Sequence, residues 1–355
     1  MITLQFSQIL ATMKTRRQFI SAMPLTYAAT QIPGLTSAQA LSGPAEEQGR
    51  TIEGALSKKP VFIPNLDRPP MPQIAESGMV SDDVVVESIQ GLDKLRGYPD
   101  VLSSRLKLGL LIPATNTSME AELWHILSLA RSQSGMDGVG LHTSNVMTTK
   151  PVLRTASDLE SYKRQFLGGL KDALAQSLLA QPHCLILGMS LEHIIDDLDA
   201  LKAPISEIGQ QSSLFCATWH EAATFAINAF KARRIGLLTP FDANGNRNAR
   251  AVFNALGFEV VSTFGFACAN ALHIAHVPDE AKKEAIVRHL ATPENRLDAI
   301  VQCGTNMSMS QLAESLEPRV GVPIIGINAT LLWYALREMG IDTPIQGVGR
   351  LLREF

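Results

Sequence analysis

The chain repeats itself, and this constrains its fold more than any other feature. Gly109-Leu110-Leu111-Ile112-Pro113 returns as Gly236-Leu237-Leu238-Thr239-Pro240, and each copy is followed shortly by an asparagine, Asn116 or Asn246. Leu185-Ile186-Leu187-Gly188-Met189-Ser190 answers the run from Ile300 to Thr305, and Ala203-Pro204-Ile205-Ser206 answers Val322-Pro323-Ile324-Ile325. Short apolar runs that alternate with helical patterns are the strands of βα units, which pair in parallel. Two such series predict an α/β protein of two pseudo-symmetric lobes, each a parallel sheet flanked by helices, facing one cleft. Ligands of open parallel sheets bind beyond the carboxyl ends of the strands. Asn116, Met189, Ser190, Phe241, Cys303 and Asn328 are therefore expected around a common crevice.

The length of 355 residues exceeds what one simple core usually holds, and 46% hydrophobic content is ordinary for packed α/β domains. Strands are predicted at 106–112, 138–145 and 184–188 in a first lobe spanning 106–220. A second lobe, 221–355, carries strands at 235–239, 259–266 and 299–302. Helices are expected at 118–132 and 159–179 in the first lobe, and at 220–232, 246–256 and 278–291 around the second sheet. Further helices begin near Ser308 and Ala329.

Ahead of the lobes, Thr15-Arg16-Arg17-Gln18-Phe19-Ile20 precedes a weakly apolar stretch and Ala38-Gln39-Ala40. This pattern predicts a twin-arginine signal over 1–40, cleaved after Ala40, and hence a periplasmic protein that meets the twin-arginine export machinery. Met13 offers a second start of translation just before the arginine pair. Pro24 and Pro33 disfavour the alternative of a surface helix. Residues 41–105, with Pro60, Pro64, Pro69, Pro70 and Pro72, read as an arm or linker with one short strand near Val84. Such an arm suits wrapping a partner subunit in a homo-oligomer or covering the cleft. No other apolar run is long enough to span a bilayer.

With 31 basic and 34 acidic residues the net charge is −3, and no basic block interleaved with aromatics marks a nucleic-acid face. The four cysteines, Cys184, Cys216, Cys268 and Cys303, form no Cys-x-x-Cys pair. Cys303 stands apart because the strand before it delivers the thiol onto Gly304-Thr305-Asn306, a turn whose backbone N–H groups can hold an anion. His142 and His193 lie near strand ends but read as surface or satisfied core residues. His273 and His276 have metal-ligand spacing without a third ligand. Gly347-Val348-Gly349 is too short for a dinucleotide loop.

Five stretches together resemble the aspartate/glutamate racemase superfamily, within it the group of maleate cis-trans isomerase and arylmalonate decarboxylase. They are Pro113 to Glu120, Thr239-Pro240-Phe241 with Asn246, Cys303 to Asn306, Asn328 to Trp333, and Gly347 to Leu352, in family order. The resemblance implies a small dicarboxylate substrate and no metal or organic cofactor. Racemases and isomerases of the family are similar in using one cysteine from each lobe. Here the first-lobe position falls on Gly188 or Met189, which cannot carry a proton. A lone second-lobe thiol with glycine opposite is the arylmalonate decarboxylase pattern, and it implies that Cys303 protonates an enediolate as CO2 leaves. Asn116, Ser190, Asn328 and the backbone of Gly304-Thr305 would then grip the retained carboxylate. Met189 and Phe241 stand where such decarboxylases tend to carry Thr and Tyr, whereas Asn116 resembles the maleate isomerase group. Three readings stay open: a decarboxylase of substituted malonates, a maleate-type isomerase, and a periplasmic carboxylate-binding protein without turnover.

Overall fold

The computed structural model describes residues 100–147, 156–192 and 208–355, together with Lys202 and Ser206. The expected signal segment, most of the arm including the strand near Val84, and His193 lie outside the described residues. Among the described residues no helix is long and apolar enough to cross a membrane.

Two four-stranded parallel sheets form the body, with strand orders β2-β1-β3-β4 and β6-β5-β7-β8. The first comprises β1 (Leu106–Pro113), β2 (Val139–Val146), β3 (Cys184–Leu187) and β4 (Cys216–Ala217). The second comprises β5 (Arg234–Thr239), β6 (Glu259–Gly265), β7 (Ala299–Gln302) and β8 (Ile324–Gly326). The central strands are continuous apolar runs because helices cover both of their faces. In β1 only Lys107 and Pro113 escape full burial, and every residue of β7 is buried. The register repeats as well: Gly109 pairs with Leu185 as Gly236 pairs with Ile300.

The helices follow in the same order: α1 (Met119–Ser134), α2 (Ala156–Leu179), α3 (Trp219–Ala229), α4 (Ala243–Ala255), α5 (Asp279–Ala285), α6 (Ser310–Val320), α7 (Ile327–Glu338) and α8 (Arg350–Glu354). Helix α4 begins three residues before the expected Asn246 because the Asp242 side chain accepts the Gly245 N–H at 2.8 Å and caps it. Helix α5 ends in a π-helical turn, Ile286–Leu290.

One expected correspondence is corrected. Residues 203–205 lie outside the described residues and Ser206 is helical; the strand in the place of β8 is β4, which pairs with β3 as β8 pairs with β7. The Pro-Ile likeness was local. What defines the fourth strand is its place beside the third and the helix that follows at once, α3 after β4 and α7 after β8. A lobe division after His220 falls in the first turn of α3, which follows the fourth strand of the first sheet as α7 follows that of the second. These two helices pack on each other, α7 also touches β3, β4 and α1, and α3 touches β8. One apolar cluster therefore runs through both lobes, from Leu106 to Leu352, and a smaller one lies under the outer face of the second sheet.

Candidate active site

Strand β7 brings Cys303 to the line where the lobes meet. The Cys303 N–H donates to the Leu238 carbonyl on β5 at 2.9 Å, which fixes the thiol at the strand end. The chain then turns through Gly304 at φ +89°, where a Cβ would stand 2.6 Å from the Pro240 ring, so both conformation and space require glycine. The Gln302 side chain donates to the carbonyls of Cys303 and Gly304, at 2.5 and 2.9 Å, and accepts the Ile327 N–H. These bonds point the carbonyls of the turn away and leave its N–H groups forward. The Gly304 N–H donates to Ser190 Oγ at 3.1 Å, while those of Thr305 and Asn306 have no acceptor among the described residues. Successive N–H groups around a left-handed residue form a concavity suited to an anion.

The lobes are joined here by side chains that bond to the opposite backbone. Thr305 Oγ1 donates to the Gly188 carbonyl at 3.0 Å and accepts from Asn116 Nδ2 at 3.0 Å. Asn306 Oδ1 accepts the N–H groups of Thr117 and Ser118, and its Nδ2 donates to the carbonyls of Thr115 and Ala271. Asn116 Oδ1 accepts from Ser118 and Met119, at 3.1 and 3.0 Å, and so serves the start of α1. Glu122, on α1, accepts from Met309 and Ser310 at the start of α6 and from Asn328 Nδ2 at 2.7 Å. Asn328 Nδ2 also reaches the Thr305 carbonyl at 2.8 Å, and its Oδ1 is buried without a partner.

The thiols differ by place. Cys184 and Cys216 are buried at the amino-terminal ends of β3 and β4, where desolvation pushes the Cys184 thiol well up and Cys216 up to about 12. Gly188 lies four residue steps beyond Cys184 along β3, roughly 13 Å at about 3.3 Å per residue. Cys268 is partly exposed on the loop after β6. Cys303 is 1% exposed, and its thiol is raised well above the usual range by desolvation and by the neighbouring Glu192 carboxylate.

Glu192 lies two residues beyond Ser190, on the loop after β3, and is 1% exposed. Burial pushes its carboxyl up to about 7, against smaller opposing effects of Ser190 and Cys303. Neither oxygen closes a hydrogen bond of good geometry. Sequence reasoning missed this residue. The repeat in the sequence ends at Ser190, and Glu192 opens a polar stretch with His193, Asp196 and Asp197 that resembles a solvated surface. Asn306 was read from sequence only as part of the Cys303 turn, and Glu122 not at all. Their signal, a polar residue in a turn or helix that a partner lobe buries, exists only in three dimensions.

The structure brings Cys303, Gly304, Thr305, Asn116, Gly188, Ser190 and Asn328 together along this line. Asn328 and Thr305 use their donors on protein partners and Asn116 gives one amide proton to Thr305, while the Ser190 hydroxyl accepts from Gly304 and faces Glu192. A Cβ on Gly188 would collide with Ile112 and Met119, at 2.5 and 2.6 Å, so that position faces the first-lobe core. Met189 is buried at the same loop. Phe241 is largely buried; its N–H donates to Thr239 Oγ1 and its carbonyl accepts from Asn246 Nδ2. His142 sits in the middle of β2. The His273 and His276 rings lie 5.4 Å apart, and no group of three or more metal-type side chains forms among the described residues.

Comparison with known proteins agrees with this architecture. The model of the arylmalonate decarboxylase family matches residues 187–352, from the Gly188 loop through both turn motifs to the final helix. The chain is thus similar to the arylmalonate decarboxylase family and to maleate isomerase. Maleate isomerase of Nocardia farcinica is 22% identical over 253 residues, 70% of this chain and 96% of that one. In structure, the chain is similar to maleate isomerase from Pseudomonas putida S16 with maleate, at TM-score 0.60 and 18% identity over 70% of this chain and 97% of that one. A mutant of arylmalonate decarboxylase matches at TM-score 0.56 and 16% identity, over 69% and 99% of the two chains. These relatives are enzymes, isomerases on one side and a lyase on the other.

Proposed function

We propose that the protein is a cofactor-independent decarboxylase of a substituted malonate, with Cys303 as its proton donor. What carries this reading is the placement of the thiols: of the four, Cys303 alone ends a strand at the line between the lobes, and both first-lobe thiols lie at the far ends of their strands. One carboxylate enters the apolar surroundings of Met189 and Phe241, where its charge is poorly solvated. The other meets the Ser190 hydroxyl and the N–H groups of Thr305 and Asn306, donors positioned for an enediolate. The C–C bond to the first carboxylate breaks, CO2 leaves with that carboxylate's atoms, and the electron pair passes into the enediolate. The Cys303 S–H then gives its proton to the α-carbon and becomes a thiolate.

A second reading, isomerisation of maleate or a related diacid, draws support from the maleate isomerases among the relatives and from Asn116, which stands at the mouth of this site. Proton NMR of the purified protein in deuterated water, with a panel of malonates and with maleate, separates the two. Decarboxylation from one face gives a single enantiomer carrying one deuteron. Conversion of maleate to fumarate, or racemisation of the product, would replace the lyase reading by the isomerase, and binding without turnover would leave a carboxylate-binding protein. We propose further that the chain works in the periplasm, on the strength of the arginine pair and the Ala38-Gln39-Ala40 segment.

A further inference from the structure

We infer that Glu192 is the proton partner of Cys303, the buried carboxyl that returns to the thiolate the proton the thiol has given up. The inference rests on the reading of Cys303 as a proton donor and extends it. A thiol buried to this degree becomes, after protonating a carbanion, a thiolate without solvent. Leaving such a charge unpaired in an apolar site is costly. It needs a donor at hand, and the turn that holds Cys303 supplies no acidic side chain of its own.

The donor comes from the opposite lobe. The loop after β3 is pinned to the Cys303 turn at two points, Ser190 Oγ to the Gly304 N–H at 3.1 Å and the Gly188 carbonyl to Thr305 Oγ1 at 3.0 Å. Glu192 follows directly, and its carboxyl interacts with the Cys303 thiol. Both of its oxygens are buried and close no hydrogen bond of good geometry among the described residues, the kind of polar group for which a folded protein usually has a functional reason. The groups that face it are the thiol from the β7 turn and the Ser190 hydroxyl from its own loop; among the described residues no cation acts on it. Burial keeps it protonated up to about pH 7, so it does not repel a dicarboxylate. The step balances: the Glu192 O–H bond breaks, the Cys303 S–H bond forms, and the carboxylate regains a proton from solvent after the product leaves.

Infrared titration of the full-length protein tests this without a substrate. A carboxyl band absent from Glu192→Gln should ionise near pH 7, and the S–H band absent from Cys303→Ala should shift in the same pH window. In Glu192→Gln that S–H shift should vanish. A carboxyl that ionises in the ordinary range, or an S–H band indifferent to it, overturns the inference. If Glu192→Gln does not fold, Cys303→Ser serves instead: the carboxyl midpoint should move, and an unchanged midpoint counts against the pair. With a substrate in hand, Glu192→Gln should lose about 100-fold or more in kcat at little change in KM, with partial recovery in Glu192→Asp. A coupled pair in a protein that turns over none of the tested acids would sink the decarboxylase reading and leave the pair standing.

Discussion

Cys303 and Cys184 are the same residue type in two strands of the same kind, and their places in those strands give them different work. Cys303→Ala should abolish turnover, a loss of several orders of magnitude with the fold intact, whereas Cys184→Ala should act on stability by about 1–2 kcal/mol. Turnover from the NMR assay and urea midpoints for both variants check this. Glu192 adds a pH dependence. Its carboxyl is raised from 4.5 to about 7 in the folded chain, so the folded state holds that proton more tightly than the unfolded one. The stability this contributes is fully present below about pH 4.5 and is lost as pH rises through about 7, on the order of 3 kcal/mol for a shift of that size. Glu192→Gln cannot ionise and should lack this loss. Its urea midpoint should exceed that of the wild type at pH 8 by more than at pH 5, and equal differences would count against a buried carboxyl. Of the residues that make the site, Cys303 was legible because a thiol on a Gly-Thr-Asn turn is unusual chemistry. Glu192 was not, since nothing local distinguishes a buried glutamate from a solvated one.

Helix α6 illustrates how elements depend on one another across the lobes. Its N-cap, Met309, offers no side-chain acceptor, and Glu122 on α1 accepts the Met309 and Ser310 N–H groups in its place. Glu122→Ala would leave two buried backbone donors and one proton of the Asn328 amide unmet, at a cost of about 3–5 kcal/mol. Thermal unfolding should show it, and Glu122→Gln, which keeps acceptor oxygen at the site, should recover part. A neutral result for Glu122→Ala would mean that water replaces the carboxylate. Periodicity and turn residues predicted most of the elements, since an apolar run ending in Pro or Gly has few other uses. Strand β4 escaped because two residues are too few to carry a pattern, and its pairing with β3 is decided by the helix that follows it.

At the scale of the molecule, export and assembly are separate questions from the site. Changing Arg16 and Arg17 to Lys keeps the charge but removes the guanidinium pair, and cell fractionation should then find unprocessed protein in the cytoplasm. Normal periplasmic processing of that double variant would contradict the signal. The sequence by itself determined the two-lobed α/β architecture and the thiol, because a repeat of βα units read in a single chain leaves one economical way to bury its strands. Only the tertiary structure decided how the lobes meet. Helices α3 and α7 pack on each other between the lobes, Asn306 and Glu122 serve backbone on the other lobe, and a glutamate on the loop after β3 interacts with a cysteine at the end of β7. Those relations join residues more than a hundred positions apart, and no local pattern of hydrophobicity or charge encodes such a distance.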